Sequence, residues 1–305
     1  MGQFLRRRLG YSALSVVGIL LVVFVLTRVI GDPAVMILGV DASQADVDQF
    51  RATNGLDRPL ATQLGDYLLD ALRGDWGSSL QFRQPVIDLL LERLPATLEL
   101  AFAALLIAFV VAVPLGMLAA LKRNTFADRL IVLLATAGQS VPSFWLGLMG
   151  ILLLSVWAGW LPVSGKGGIT HLILPAVTLA AASLARLARL QRSALLDVLQ
   201  REYITTARAK GLPERLVLFR HALRNSLIPV VTMLGLDLAA LLGGAVVVET
   251  VFAWPGVGRL VVQALENLDF PLIQGGVLLF ALAYVVVNLA VDLSYSLLDP
   301  RIRYE

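Results

Sequence analysis

Leu227-Ile-Pro-Val-Val-Thr-Met-Leu-Gly-Leu-Asp237-Leu-Ala-Ala-Leu-Leu-Gly-Gly-Ala-Val-Val-Val248 decides the fold class, because it carries a single charge, Asp237, in an otherwise apolar or small-residue run. About 20 such residues, as a helix, cross a hydrocarbon core. Five further runs pass the same test: roughly Leu9 to Ile30, Ala96 to Leu121, Leu130 to Trp157, Leu172 to Leu190 and Leu272 to Leu297. The whole 305-residue chain agrees, being 58% hydrophobic and 15% charged with a mean hydropathy of +0.79. That is too apolar for an ordinary soluble domain. The expectation is an all-α membrane protein with six transmembrane helices.

Arg6-Arg-Arg8 before the first run resembles the start of a secretory signal, but the apolar stretch is too long and lacks a small-residue cleavage pattern. It is read as a retained helix. Cysteine is absent, which excludes disulfides and thiolate sites, and two histidines, His171 and His221, leave little scope for a metal cluster. No metal site and no catalytic residue is expected. With the N-terminus inside, 17 of the 25 Lys and Arg fall on the inner side, including nine from Arg186 to Arg224. Basic residues near helix ends set topology, so both termini are expected in the cytoplasm. The sequence pI of about 9.4 then reports orientation and gives a nucleic-acid partner little support.

These spans divide the chain into three parts. Residues 1–30 hold the N-terminus and first helix, 31–95 an external loop, and 96–305 a core of five helices. The external loop is expected to hold a short polar helix over Asp41 to Phe50 and turns at Gly74-Asp-Trp-Gly77. A second outer segment, Glu249 to Gly258, sets Phe252 and Trp254 beside a Pro255-Gly256 turn; such aromatics serve as interfacial anchors or as a functional loop.

On the inner side, segment 191–226 has an architecture of its own. Gln200 to Lys210 is built of helix formers, Gly211 suits a C-terminal stop, and Pro213-Glu214 suits the first turn of a second helix ending near Arg224. Tyr203, Ala207 and Gly211, four apart, are expected to share a face, and Leu216, Phe219 and Leu223 to form an apolar stripe. A basic loop against anionic lipid, a DNA-binding helix-turn-helix and a docking element for a cytoplasmic protein all fit this outline. Small residues at Thr205, Thr206, Ala207, Ala209 and Gly211 favour docking, since they let another backbone approach, with Arg208 and Lys210 supplying orientation.

Within the spans, Asp237 is expensive unless it faces a bundle interior, water or a partner. It could attract a peptide amino group or a cation, or bond a neighbouring helix. Asn288 and Asp292, one turn apart on the last span and nearer its cytoplasmic end, line the path or, as the position favours, form a structural pair with a snorkelling arginine. Pro114, Pro142, Pro175 and Pro229 lie within or at the start of four spans, where each removes a backbone donor and can kink the helix, although prolines are also ordinary in membrane helices. Arg186, Arg189 and Arg192, three apart, suggest a voltage-sensing ladder, but all lie toward one end and no Thr-Val-Gly-Tyr-Gly filter is present. A membrane-embedded hydrolase lacks its His-Glu-x-x-His motif.

Thr205-Thr-Ala-Arg-Ala-Lys-Gly211 resembles the coupling-loop signature of the membrane subunits of bacterial ATP-binding-cassette importers. The likeness to the dipeptide, oligopeptide and nickel branch continues through Glu92-Arg-Leu-Pro-Ala-Thr-Leu-Glu99, Ser140-Val-Pro-Ser-Phe-Trp-Leu-Gly147, His221-Ala-Leu-Arg-Asn225, Glu249-Thr-Val-Phe-Ala-Trp-Pro-Gly256 and Leu298-Asp-Pro-Arg-Ile-Arg-Tyr304. Thr205 and Thr206 stand where the general signature has Glu and Ala, and Arg224 where it has proline. The resemblance implies a six-helix permease of the bacterial inner membrane that moves peptides by alternating access. Nickel chelates, glutathione or sugars are the alternative cargoes. Its implied partners are a second permease, two ATPases that bind ATP and Mg, and an extracytoplasmic binding protein. Tyr203, Ala207, Arg208, Lys210, Gly211 and Leu212 would couple to the ATPase. Asp237, Asn288 and Asp292 would line the path, and Phe252, Trp254, Pro255 and Gly256 would meet the binding protein or form an outer gate. The chain has no Gly-x-x-x-x-Gly-Lys-Ser/Thr loop, so it is expected to hold no cofactor and to be no enzyme itself.

Overall fold

The computed structural model describes residues 2–29, 33–38, 42–53 and 55–298; among them the regular structure is helical, with one isolated antiparallel bridge between Ser78 and Pro85. The helices are α1 (Gly2–Val29), α2 (Pro33–Leu38), α3 (Gln44–Thr53), α4 (Leu60–Arg73), α5 (Val86–Leu121), α6 (Phe126–Ser140), α7 (Ser143–Gly150), α8 (Ile169–Leu199), α9 (Glu202–Ala209), α10 (Glu214–Leu216), α11 (Arg224–Val251), α12 (Val257–Glu266) and α13 (Phe270–Leu298). Two wider π-helical stretches join them, Ile151–Trp157 after α7 and Val217–Leu223 between α10 and α11.

Four helical runs are long and apolar enough to cross a membrane: Val86–Leu121, Ile169–Leu199, the continuous Glu214–Val251, and Phe270–Val291 within α13. The expected third span is divided into Phe126–Ser140 and Ser143–Trp157, bent by 104°. Pro142 is the cause: its φ of −61° and ψ of 139° are extended, and it stands immediately before α7 instead of kinking a continuous helix. In α1 the described apolar stretch is Ala13–Val25. The described residues therefore hold four candidate spans, or five with the bent pair, where the sequence suggests six.

Two other boundaries differ from expectation. α5 begins at Val86, ten residues early, and carries Pro95 inside it. The second helix of the 191–226 hairpin does not end near Arg224, because α10, the π-helical stretch and α11 continue as one run to Val251. The polar helix expected over Asp41 to Phe50 forms as α3 at Gln44–Thr53, with Asp41 outside the described residues, and Ser43 Oγ accepts the Asp46 N–H at 3.2 Å at its start.

The chain divides into two compact units, one of residues 1–96 and 255–286, the other of 97–254 and 287–305. In the first, Val86, Leu89 and Leu90 of α5 pack with Val257, Leu260 and Ala264 of α12 and Leu272 of α13. Asp269, fully buried, accepts from Ser79 Oγ, from the Gln81 N–H at 3.2 Å and from the Leu272 N–H at 3.3 Å, so it caps α13 and ties down the Ser78–Pro85 loop. α1 and α4 meet through Phe24 and Tyr67, whose rings stack at 6.0 Å, and burial pushes the Tyr67 phenol up to about 12.

In the second unit α8 is the central helix, packed against α6, α7 and α11. Close approach needs small residues, as helices in membranes commonly do. A Cβ on Gly116 of α5 would lie 2.5 Å from the Ala188 carbonyl oxygen and 2.7 Å from Gln191 Cβ, both on α8. Gly116→Ala is therefore expected to destabilise the purified complex by about 1–3 kcal/mol through overpacking. Gly243→Ala on α11, with nothing within 4 Å of the added carbon, is expected to leave thermal unfolding unchanged or raise it.

Candidate functional site

The hairpin of α9 and α10 is closed by a specific helix end. Gly211 has φ +76°, its N–H bonds the Arg208 carbonyl at 2.9 Å, and the Leu212 N–H bonds the Ala207 carbonyl at 3.4 Å. This pair of bonds around a left-handed glycine is the Schellman arrangement. Arg208 reaches across the turn to Glu214 with bonds of 2.7 and 3.2 Å, and that carboxylate raises the guanidinium pKa above its ordinary value. Tyr203 Oη accepts from Asn225 Nδ2 at 3.0 Å, a second strap between the arms.

The hairpin has its own core. Ile204 and Ala207 pack with Val217, Ala222, Leu195 of α8 and Ala120 of α5. The four-residue spacing is expected to put Tyr203, Ala207 and Gly211 on one face, and Ala207 among the small residues open to another backbone; Ala207 is instead buried, while Tyr203 and Gly211 are exposed. Ile204 is the core residue of α9, and its apolar side chain in a polar helix is the signal for it in the sequence. On the second arm Val217 and Ala222 are buried, whereas Phe219 is 59% exposed. The π-helical stretch explains this, since its wider turn aligns residues five apart and displaces the expected Leu216, Phe219, Leu223 stripe. Thr205, Thr206, Arg208, Ala209 and Lys210 form the exposed side of α9 and its end, with Leu212 half-buried.

Along α8 the three arginines each meet a different polar site. Arg186 Nη2 donates to Asp237 of α11 at 2.8 Å and to Ser183 Oγ at 3.1 Å. Arg189 donates to Thr136 at 3.4 Å and to the Gln139 amide oxygen, both on α6. Arg192 makes a two-point contact with Asp128 at the start of α6, at 2.6 and 2.8 Å, and Asp128 also accepts the Asn124 N–H at 2.9 Å. Between them, buried Gln191 donates to Ser226 Oγ at 3.0 Å. Asp237 is thus paired within its own chain, with Oδ2 buried and without a hydrogen bond among the described residues.

The other expected path residues are less informative. Asn288 is half-buried on α13, and the Asp292 side chain lies outside the described residues. At the far end of α11, Phe252 and Trp254 are buried and not presented as surface anchors. The helix closes there with Ala253 at φ +49° and with the Trp254 N–H on the Glu249 carbonyl at 2.8 Å. Lys166 lies over the Trp254 ring at 5.5 Å and bonds Glu99 at 2.6 Å, and the Gly165 N–H bonds the Phe252 carbonyl at 2.8 Å. Pro255 is half-buried and Gly256 buried. Beneath this turn Glu249, fully buried, accepts from Thr97 Oγ1 at 2.6 Å. In the sequence Glu249 stands only as the first residue of an outer segment and Asp128 carries no mark at all; each sits beside an apolar run, and no local pattern names a partner more than 60 residues away.

Hairpin, spans and paired intramembrane charges describe a membrane transport subunit, and comparison with known proteins gives the same class. Residues 112–304 match the binding-protein-dependent transport system inner membrane component, and residues 1–101 match the N-terminal model of the same systems. The chain belongs to this family and is the permease subunit of an ABC importer. It is 43% identical over 306 residues to the glutathione transport system permease protein GsiC of Escherichia coli (strain K12), covering 100% of both chains. Against the protein of that name from Pectobacterium atrosepticum it is 42% identical over 305 residues, again covering 100% of both. In fold it is similar to the MetNI methionine ABC transporter in inward-facing conformations, with a TM-score of 0.58 and 21% identity over 67% of this chain and 93% of that one.

The Arg192–Asp128 contact is partly buried, with 26% and 5% of the side chains exposed. Asp128→Ala strands the guanidinium and is expected to cost about 2–3 kcal/mol, between surface and buried pairs. In a double-mutant cycle, adding Arg192→Met should recover part of that loss in thermal unfolding of the complex.

Proposed function

We propose that this permease imports di- or oligopeptides, and that the α9–α10 hairpin receives the push of the ATPases. Glutathione is itself a tripeptide, and the name of the 43% identical relatives supports a small peptide over the alternative nickel chelates or sugars. In this reading the two ATPases bind ATP and Mg, the second permease completes the path, and the binding protein delivers cargo. The chain itself hydrolyses nothing. It crosses the inner membrane six times, with α1 as the first span, both termini and segment 191–226 in the cytoplasm, and the loop of 31–95 outside.

Coupling is assigned to Tyr203, Ala207, Arg208, Lys210, Gly211 and Leu212, with a division of labour. Arg208 and Gly211 fix the turn, Ala207 and Leu212 seat it on α8, and Tyr203 straps the arms. Lys210 and the exposed small residues meet the ATPase. ATPase closure would move the hairpin as a body and, through α8, switch the access of the path between faces. Asp237, Asn288 and Asp292 belong to the path lining or its support. The turn of Phe252, Trp254, Pro255 and Gly256 serves as an outer gate, because its aromatics are buried and not offered to a partner.

The observation that carries the coupling reading is the closed turn at Gly211, exposed and with nothing within 4 Å of an added Cβ. A side chain there meets no atom of its own chain but is strained at φ +76°, so Gly211→Asn, which tolerates that backbone, is the control that separates strain in the turn from a clash with whatever docks. Gly211→Leu is expected to leave the subunit inserted and ATP hydrolysis nearly intact while ATP-driven peptide uptake falls roughly tenfold, the size of a 1–3 kcal/mol clash. Uptake and phosphate release measured on the same proteoliposomes check this, and unchanged uptake would remove the hairpin from the coupling role.

A further inference from the structure

Arg189 differs from its two neighbours on α8 in what it touches. Arg192 is neutralised by Asp128 and Arg186 by Asp237. Among the described residues, the partners of Arg189 are Thr136 Oγ1 at 3.4 Å and the Gln139 amide oxygen, and both are uncharged. The guanidinium is therefore held in place without being neutralised. Its surroundings are polar and accessible: Thr136, Gln139 and Ser140 are exposed, and Arg189 is half-buried. The cluster also sits at the break in the bent span, since Gln139 and Ser140 are the last residues of α6 before the 104° turn at Val141-Pro142.

Hydrocarbon cannot cover such a face. An exposed, fixed guanidinium with an amide and hydroxyls beside it needs water or an anion opposite it. Its planar fork of five donors matches a carboxylate by two parallel bonds, and Thr136 and Gln139 use only part of that capacity. Arg186, three residues earlier, lies on the same face of α8 and adds a second guanidinium, already balanced by Asp237. A break in a membrane helix beside fixed polar groups is also a common construction of transport sites.

We propose that Arg189, oriented by Gln139 and Thr136, is the station on the transport path that receives the carboxylate of the transported peptide. This assignment rests on the peptide-import reading above. It names the chemical class that the permease itself selects: a substrate with a free carboxylate, favoured over its neutral amide. A carboxylate of the second permease, or a lipid phosphate, would cover the same charge without discriminating between cargoes.

The test uses the complete transporter in proteoliposomes with its binding protein, and two probes, trialanine and trialanine amide, at concentrations at which the wild-type complex carries both. Uptake of each probe by a variant is divided by wild-type uptake of the same probe, so discrimination by the binding protein cancels. Arg189→Gln is expected to lower trialanine uptake about tenfold, the scale of one charge-assisted hydrogen bond, and to leave the amide within about twofold of wild type. Arg189→Lys is expected to restore most trialanine uptake, and co-purification of the ATPases checks that each variant assembles. Equal losses for both probes would assign Arg189 to the scaffold, the subunit interface or lipid and overturn the proposal, as would no loss for either. No ATP-driven uptake of either probe by the wild-type complex would overturn the peptide reading, and this assignment with it.

Discussion

Every charge placed on a membrane helix has to find a partner, and α8 carries three arginines within seven residues. The second unit is organised around satisfying them. Arg186 draws Asp237 of α11, Arg189 draws Thr136 and Gln139 of α6, and Arg192 draws Asp128 at the start of α6. Because the three lie at successive three-residue steps, they face neighbouring helices over about two turns, while Gln191 bonds Ser226 between them. Small residues complete the contact, with Gly116 against the α8 backbone and Gly150 against Leu174. A ladder that suggests voltage sensing in the sequence is, in the fold, a set of interhelix fasteners.

The same helix carries the hairpin. Leu195 of α8 lies in one core with Ile204, Ala207, Val217 and Ala222, so the hairpin has apolar contact with α8 as well as covalent continuity. Its second arm passes through the π-helical stretch into α11 without a break. A force on the hairpin would therefore reach α8 and α11 together, and α6 through Arg192 and Arg189. This is the physical content of rigid-body coupling: the elements that must move together are those joined by buried contacts and by bonds to charged groups.

Much of this was legible in the sequence because it depends on local composition. The apolar runs, the hairpin with its glycine stop and Pro213 start, and the polar helix α3 all follow from period, length and capping chemistry. The misses follow from longer-range or finer causes. The one-residue shift that buries Val217 and Ala222 and exposes Phe219 belongs to a π-helical turn, which no apolar spacing announces. Pro142 was visible, but whether a proline kinks a helix or ends it depends on the packing of both halves. Asp128 with Arg192, Thr97 with Glu249 and Ser79 with Asp269 pair across long sequence separations, so each carboxylate was visible and its partner was not.

The central claim is that the exposed side of the α9–α10 hairpin is the surface through which ATPases move this permease. The chain has no cysteine, so single introduced cysteines report cleanly. Cysteines placed one at a time at Thr206, Ala209, Ile204 and Ala207, each tested for disulfide capture of a cysteine in the ATPase subunit of the intact complex, test the claim most directly. The account predicts capture from exposed Thr206 and Ala209, altered by ATP, and little from buried Ile204 and Ala207. Capture from none of the four, or capture from Thr206 and Ala209 that ATP leaves unchanged, would contradict it.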